Sequence, residues 1–275
     1  MKIIKNDLKN AAMPAGEVRK ITYSNGGVAY VFKKETAYDS LHKCATTQKK
    51  FPPVNRNEPM TKTAYRRTLN RYFGKLIELD LDPEKCLSLT LTIRRQEHNT
   101  YERITERFKD FTNKVRFSKK VGNSYVGAVR FIEVQQKGFF HIHCVLVFNS
   151  TVRLGWKDLH RMWGWGFVKV TTIYYFIGLM DYLTNPKCGS ESQTDSKFTR
   201  YPKGAKIIYI SPNLPRGKSE NITLTAQECA ALMQDERTIG HIKLHKYFDS
   251  ETQSVRPAID KMVLVQILKK GGLRK

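Results

Sequence analysis

Glu133, His141 and His143 are residues whose types and spacing could do chemistry together. A carboxylate and two imidazoles can share one divalent cation, leaving positions open for water or a substrate oxygen. They lie in Phe131-Ile132-Glu133-Val134-Gln135-Gln136-Lys137-Gly138-Phe139-Phe140-His141-Ile142-His143. This stretch reads as two strands joined by a tight turn at Gln136-Lys137-Gly138, where Gly138 can take positive φ. Side chains two apart on a strand share a face, so His141 and His143 point the same way, about 6.6 Å apart along the strand. A turn centred on Lys137 pairs residue 133 with 141 and residue 131 with 143, which sets Glu133 across from His141. A His-x-His pair alone is more often satisfied by backbone or water. The opposed carboxylate and the apolar setting favour a shared ligand, because desolvating all three groups without one is costly. A closed structural zinc site would bring cysteine or a third histidine.

Tyr182 follows Tyr175 by seven residues, so on a helix both fall on nearly one face while Tyr174 turns away. A tyrosine attacks a phosphodiester when a metal neutralises the oxygens and a base takes its proton. The simpler reading is that these rings pack against a sheet. Gly217-Lys218-Ser219 does not begin a phosphate-binding loop, since the glycine needed five positions earlier is Pro212. His241 and His245 lie in an alternating, strand-like run rather than on a helix face. Trp163-Gly164-Trp165-Gly166 suits either base stacking or a core corner.

These residues need elements to hold them, and the chain reads in three stretches: 1–80, 81–190 and 191–275. In the first, Val18–Tyr23 and Val28–Phe32 flank Ser24-Asn25-Gly26-Gly27, a strong hairpin signal, and a basic helix runs from Met60 to Leu79. Asp80, Asp82 and Pro83 end that helix. The next stretch holds an alternating strand at Cys86–Thr92 and a helix at Tyr101–Phe117 striped by Ile104, Phe108, Phe111 and Val115. Strands at Tyr125–Val134 and Phe139–Phe148 follow, then a short helix at Trp156–Trp163 and a strand at Gly166–Val170. A helix at Thr171–Thr184 ends before Pro186. The last stretch is a polar, basic extension with a strand at Lys206–Ile210 and a strand or helix at Met262–Lys270. Strand, helix, strand, strand, helix predicts an α+β fold, an antiparallel sheet with helices packed on it.

The composition frames the chemistry. With 48 Lys+Arg against 25 Asp+Glu the chain carries a formal charge of +23, spread along its length rather than confined to a tail. Such a field suits a phosphate-rich partner. Five cysteines without a CxxC spacing are poor material for a disulfide framework or a zinc ribbon, and fit a reducing cytoplasm. No apolar run approaches the length of a membrane span, and the N-terminus lacks an apolar signal core.

The order of three motifs resembles the HUH endonucleases, in particular rolling-circle replication initiator (Rep) proteins of bacterial plasmids and phages. Leu87-Ser88-Leu89-Thr90-Leu91-Thr92 is similar to the family's first motif. Phe140-His141-Ile142-His143-Cys144-Val145-Leu146 is similar to its histidine motif, with Glu133 similar to an acidic third ligand one strand earlier. Tyr182-Leu183-Thr184-Asn185 is similar to the motif where the family places its nucleophile. The likeness runs from the Arg66–Leu79 helix through Trp163 to Lys206–Pro215. It departs in two places. Relatives with Tyr-x-x-Lys have lysine where this chain has Asn185, the nearest following one being Lys187; two-tyrosine relatives have tyrosine where this chain has Gly178.

The resemblance implies a central antiparallel sheet of RRM-like or ferredoxin-like type and an origin-nicking enzyme. Glu133, His141 and His143 would hold Mg²⁺ or Mn²⁺. Tyr182 would form a covalent 5′-phosphotyrosine bond, with Tyr175 as the alternative nucleophile. Arg66, Arg67, Arg71, Arg94, Arg95, Lys137 and Lys187 would contact phosphates. The partners implied are single-stranded or hairpin origin DNA and a host helicase and polymerase in the cytoplasm, with no membrane. Two other readings stand beside it: a non-catalytic nucleic-acid-binding protein on an RRM-like sheet, and an HUH relaxase or transposase.

Overall fold

The computed structural model describes residues 16–32, 60–94, 99–135, 139–173, 176, 179, 198, 200–235, 238–249 and 254–266. The chain divides into two compact units, Pro52–Arg216 and Met1–Phe51 with Gly217–Lys275. In chain order the main elements are β1 (Gly16–Thr22), β2 (Val28–Phe32), α1 (Lys62–Ile77), β3 (Cys86–Thr92), α2 (Tyr101–Arg116), β4 (Tyr125–Val134) and β5 (Phe140–Phe148). Then come α3 (Trp156–Trp163), β6 (Val168–Thr171), β7 (Ile208–Ile210), β8 (Lys218–Leu224), α4 (Ala226–Gln234), β9 (Thr238–Asp249) and β10 (Ser254–Gln266). The fold is α+β, with two five-stranded antiparallel sheets and helices packed on them. Among the described residues no helix is long and apolar enough to cross a membrane.

In Pro52–Arg216 the sheet order is β6-β3-β5-β4-β7. The run β3-α2-β4-β5-α3-β6 places its four strands in the ferredoxin-like order, and β7 extends the sheet beyond β4. β5 lies between β3 and β4 because it is apolar on both faces apart from its histidines, as a strand with two neighbours must be. α2 begins where the Thr100 side chain accepts the Arg103 amide and buries Ile104, Phe108, Phe111 and Val115. Each such side chain contributes about 1.5–3 kcal/mol on burial. α2 packs on β4 and β5, and the Arg130 guanidinium lies 5.6 Å from the Phe108 ring centre. Residues 130 and 133 point to opposite faces of β4, so Glu133 and its partners occupy the face away from α2.

The other unit is a sheet of order β8-β1-β2-β10-β9. Its β1–β2 turn has the expected Asn-Gly geometry: Gly26 sits at φ 80, and the Gly27 amide donates to Asn25 Oδ1 at 2.9 Å. α4 is capped reciprocally by Thr225 and Glu228, and buries Cys229 against Leu264. The sequence reading leaves this hairpin without partners. The structure pairs β1 with β8 and β2 with β10, joining segments about two hundred residues apart. Residues 262–266, read as strand or helix, are the end of strand β10, and the expected Gly166–Val170 strand begins at Val168. Of the expected Thr171–Thr184 helix, Thr171 closes β6, Phe176 and Leu179 are helical, and most of the remainder lies outside the described residues.

Candidate metal centre

The β4–β5 register places Glu133 opposite His141 and Phe131 opposite His143, the pairing expected from a turn centred on Lys137. On the other side of β5, Thr92 faces His141 and Thr90 faces His143. Three donor atoms converge. His141 Nε2 and His143 Nε2 each lie 3.0 Å from Glu133 Oε2, and 2.8 Å from one another. Among the described residues this is the group of three metal-capable side chains that the fold brings together, and it could hold a metal ion.

The donor set fits a cation. Two imidazole nitrogens at 2.8 Å and a carboxylate oxygen between them either share protons or share a ligand. An octahedral ion with ligands at about 2.1 Å spaces neighbouring ligands about 3.0 Å apart, whereas tetrahedral coordination spreads them to about 3.4 Å. The observed triangle matches three neighbouring ligands of a six-coordinate ion. His143 Nδ1 lies 3.2 Å from Thr90 Oγ1, so an Nδ1–H donating there leaves the Nε2 lone pair facing the centre. His141 is buried at 6% exposure, and its Nδ1 has no hydrogen-bond partner among the described residues. Burial pushes the Glu133 carboxyl up, but hydrogen bonds and charge from His141 and His143 outweigh it and hold the group far below the usual carboxylate range. Its side chain keeps 45% exposure, so water screens that attraction and a ligand can reach it.

Two side chains act as substitute strand partners beside these ligands. The Tyr201 hydroxyl accepts the Val134 amide at 3.2 Å and donates to the Ile132 carbonyl at 3.0 Å, holding the backbone on both sides of Glu133. The buried Asn99 amide donates to the Phe140 carbonyl at 2.9 Å and accepts the Phe140 amide, one residue before His141. The rings of Tyr101 and Tyr201 meet Phe140 edge-on. Sequence reading singled out none of Thr90, Asn99 and Tyr201 for this role. Thr90 had a signal, since it sits opposite His143 once the β3–β5 register is known; the other two are brought in from remote segments and had none.

The remaining candidates scatter. Arg94 is exposed just beyond β3, and Arg71 is exposed on α1 with its guanidinium 5.3 Å from the Tyr72 ring centre. Arg66 and Arg67 lie in α1, but their side chains are outside the described set. Tyr175, Tyr182, Lys187, Arg95 and Lys137 also lie outside the described residues. Lys218 and Ser219 belong to the β1–β8 ladder, and His241 and His245 to β9. Cys86, Cys144 and Cys229 are buried free thiols; burial pushes Cys86 up to about 12 and Cys229 up to about 11, which leaves them unreactive.

Residues 86–187 match the family model described as replication-associated protein ORF2. The match begins at the first residue of β3 and takes in Glu133, His141 and His143. It supports a replication initiator. No curated protein and no solved structure matches the chain.

Proposed function

We infer that the chain is a rolling-circle initiator that nicks and rejoins DNA at an origin through a covalent 5′-phosphotyrosine. One observation carries the reading: a three-donor centre on neighbouring central strands lies inside the segment that matches replication-associated proteins. A field of +23 suits a DNA partner, whether a single strand or a hairpin.

Glu133, His141 and His143 would hold the ion, with Mg²⁺ or Mn²⁺ favoured by the carboxylate–imidazole set and by the donor spacing. When bound, a divalent ion neutralises charge on the non-bridging oxygens of a phosphodiester. Tyr182 is the proposed nucleophile and lies within the matched segment. Its Oη forms a bond to phosphorus as the bond from phosphorus to O3′ breaks. The phenolic proton leaves through a base and the departing O3′ ends as a hydroxyl that can prime synthesis. The ester retains the bond energy, so a 3′-hydroxyl can later attack the phosphotyrosine and rejoin the strand without ATP. Lys187 and the basic residues Arg66, Arg67, Arg71, Arg94, Arg95 and Lys137 would steer and hold the phosphates, with Tyr175 as the second candidate nucleophile. Helicase and polymerase recruitment in the cytoplasm completes the reading.

The test is covalent capture. The protein is incubated with single-stranded oligonucleotides tiling its own replicon, with Mn²⁺ or EDTA, and the adduct is mapped by peptide mass. A metal-dependent adduct on Tyr182 that Tyr182→Phe abolishes is the expected result. An adduct on Tyr175 reassigns the nucleophile, and tight binding with no adduct on any tile leaves a non-catalytic DNA-binding protein.

A further inference from the structure

The C-terminal end of β3 carries another construction, one that the metal centre does not use. Trp163 to Phe167 is zipped onto it: Trp163 Nε1 donates to the Thr92 carbonyl at 2.7 Å, and the Arg94 amide donates to the Trp165 carbonyl at 2.9 Å. The Thr92 amide donates to the Phe167 carbonyl at 3.0 Å, and the Phe167 amide donates to Thr92 Oγ1 at 3.2 Å. Gly164 makes the turn at φ 68, and Gly166 lies so close to the β3 backbone that a Cβ would collide with the Thr92 carbonyl and the Arg94 amide. Trp163 is thereby buried, yet Phe167 stands at 59% exposure.

An open cavity of about 790 Å³ lies along this loop, lined by Arg94, Trp165 and Phe167 among others, and by Thr92. The Arg107 guanidinium stacks on the Trp165 ring at 3.7 Å from its centre, which fixes that ring's orientation. A large aromatic held out in water by a loop hydrogen-bonded along its length is not a packing solution. Beside an exposed arginine on a strongly basic chain, its chemistry suits a π-face attached to a phosphate. Thr92 belongs both to this cavity and to the row of residues facing His141, so the cavity adjoins the metal centre.

We propose that the Trp163–Phe167 loop is a base-binding subsite for single-stranded DNA, with Phe167 stacking one unpaired base and Arg94 contacting its phosphate. The nucleotide held there neighbours the phosphate at the centre; that placement rests on the proposed function, whereas the stacking itself does not need the metal. Arg107 acts as a positioning residue for Trp165.

The test is anisotropy of full-length protein with a fluorescent single-stranded oligonucleotide in EDTA, so that binding is read without chemistry. Phe167→Ala should weaken binding about tenfold, and Phe167→Trp should hold it near the native value. In the native protein, an abasic site at one position should cost as much as Phe167→Ala, and the two losses should not add. Arg94→Ala should lower the salt slope by about 0.7. Unchanged affinity in Phe167→Ala, additive losses, or an equal loss on duplex DNA would overturn the subsite. Nicking of the same strands in Mn²⁺ separates the two ideas. A Phe167 effect without any nicking keeps the subsite and removes the nickase, and nicking without a Phe167 effect does the reverse.

Discussion

Thr90 Oγ1 lies 3.2 Å from His143 Nδ1, on the strand next to the one that carries both histidines. The hydroxyl orients the ring and selects the tautomer whose Nε2 faces Glu133 and His141. Thr90→Val keeps the shape and removes the acceptor. Affinity for Mn²⁺, measured by calorimetry on the full chain, should fall about 10–100-fold, the range for removing an outer partner of a ligating histidine. Native affinity in the variant would show that the contact does not orient the ring.

Removing a ligand should have a larger effect than removing its support. His141→Ala and Glu133→Gln should each abolish Mn²⁺ binding at concentrations that saturate the native protein, and should remove adduct formation with it. Single-stranded DNA binding in EDTA should persist in both. Full nicking in either variant would sink the metal-centre reading.

Tyr201 is only 2% exposed, and its hydroxyl serves two backbone groups around Glu133. Tyr201→Phe leaves the Val134 amide and the Ile132 carbonyl without that partner, a cost of about 1–3 kcal/mol for each unsatisfied buried group. Urea denaturation should register this loss of stability. Mn²⁺ affinity should also drop, because the strand bearing Glu133 loses its clamp; stability lost with affinity intact would limit Tyr201 to a structural role.

The two glycines of the β3-end loop should behave differently. Gly164→Ala meets an αL conformation and should cost about 1–2 kcal/mol. Gly166→Ala places a methyl carbon against the Thr92 carbonyl and 2.7 Å from the Arg94 amide, which are backbone atoms that cannot swing aside. Thermal denaturation should therefore rank Gly166→Ala as the more damaging. The reverse order would mean that the loop is not held to β3 as described.

Alkaline pH provides an independent check on the core. Burial, helped by the Asp82 charge, raises the Cys86 thiol from 9.0 to about 12. A group whose folded pKa is raised contributes stability that is complete below the unfolded value and declines as pH rises toward the folded one. Stability should thus decline between about pH 9 and 12. Cys86→Ala should show a shallower decline across that window in chemical denaturation, and equal slopes would mean that the thiol is not buried.

Much of the Pro52–Arg216 unit was legible before any tertiary structure. Cys86–Thr92, Tyr101–Arg116 and Trp156–Trp163 occupy the expected stretches to within a residue, because apolar period, a Thr100 cap and a Gly164 stop act locally. The β4–β5 register followed from the turn, and with it the opposition of Glu133 and His141. The sheet of the other unit was not legible. Its hairpin is local, but its pairing with β8 and β10 depends on edges meeting across most of the chain, and alternation states that a strand exists without naming its neighbour.

What the sequence by itself determined was the chemistry available: a carboxylate and two imidazoles at strand spacing, tyrosines after them, and a positive field for a polyanion. Those follow from covalent identity and short-range geometry. Only the tertiary structure decided that the donors close to within 3.0 Å, that Thr90 sets one ring, and that Tyr201 and Asn99 clamp the strands beneath. The physical reason is that a hydrogen bond between residues about forty to seventy apart exists only once the sheet has brought their backbones together, and nothing in either local sequence encodes the other's position.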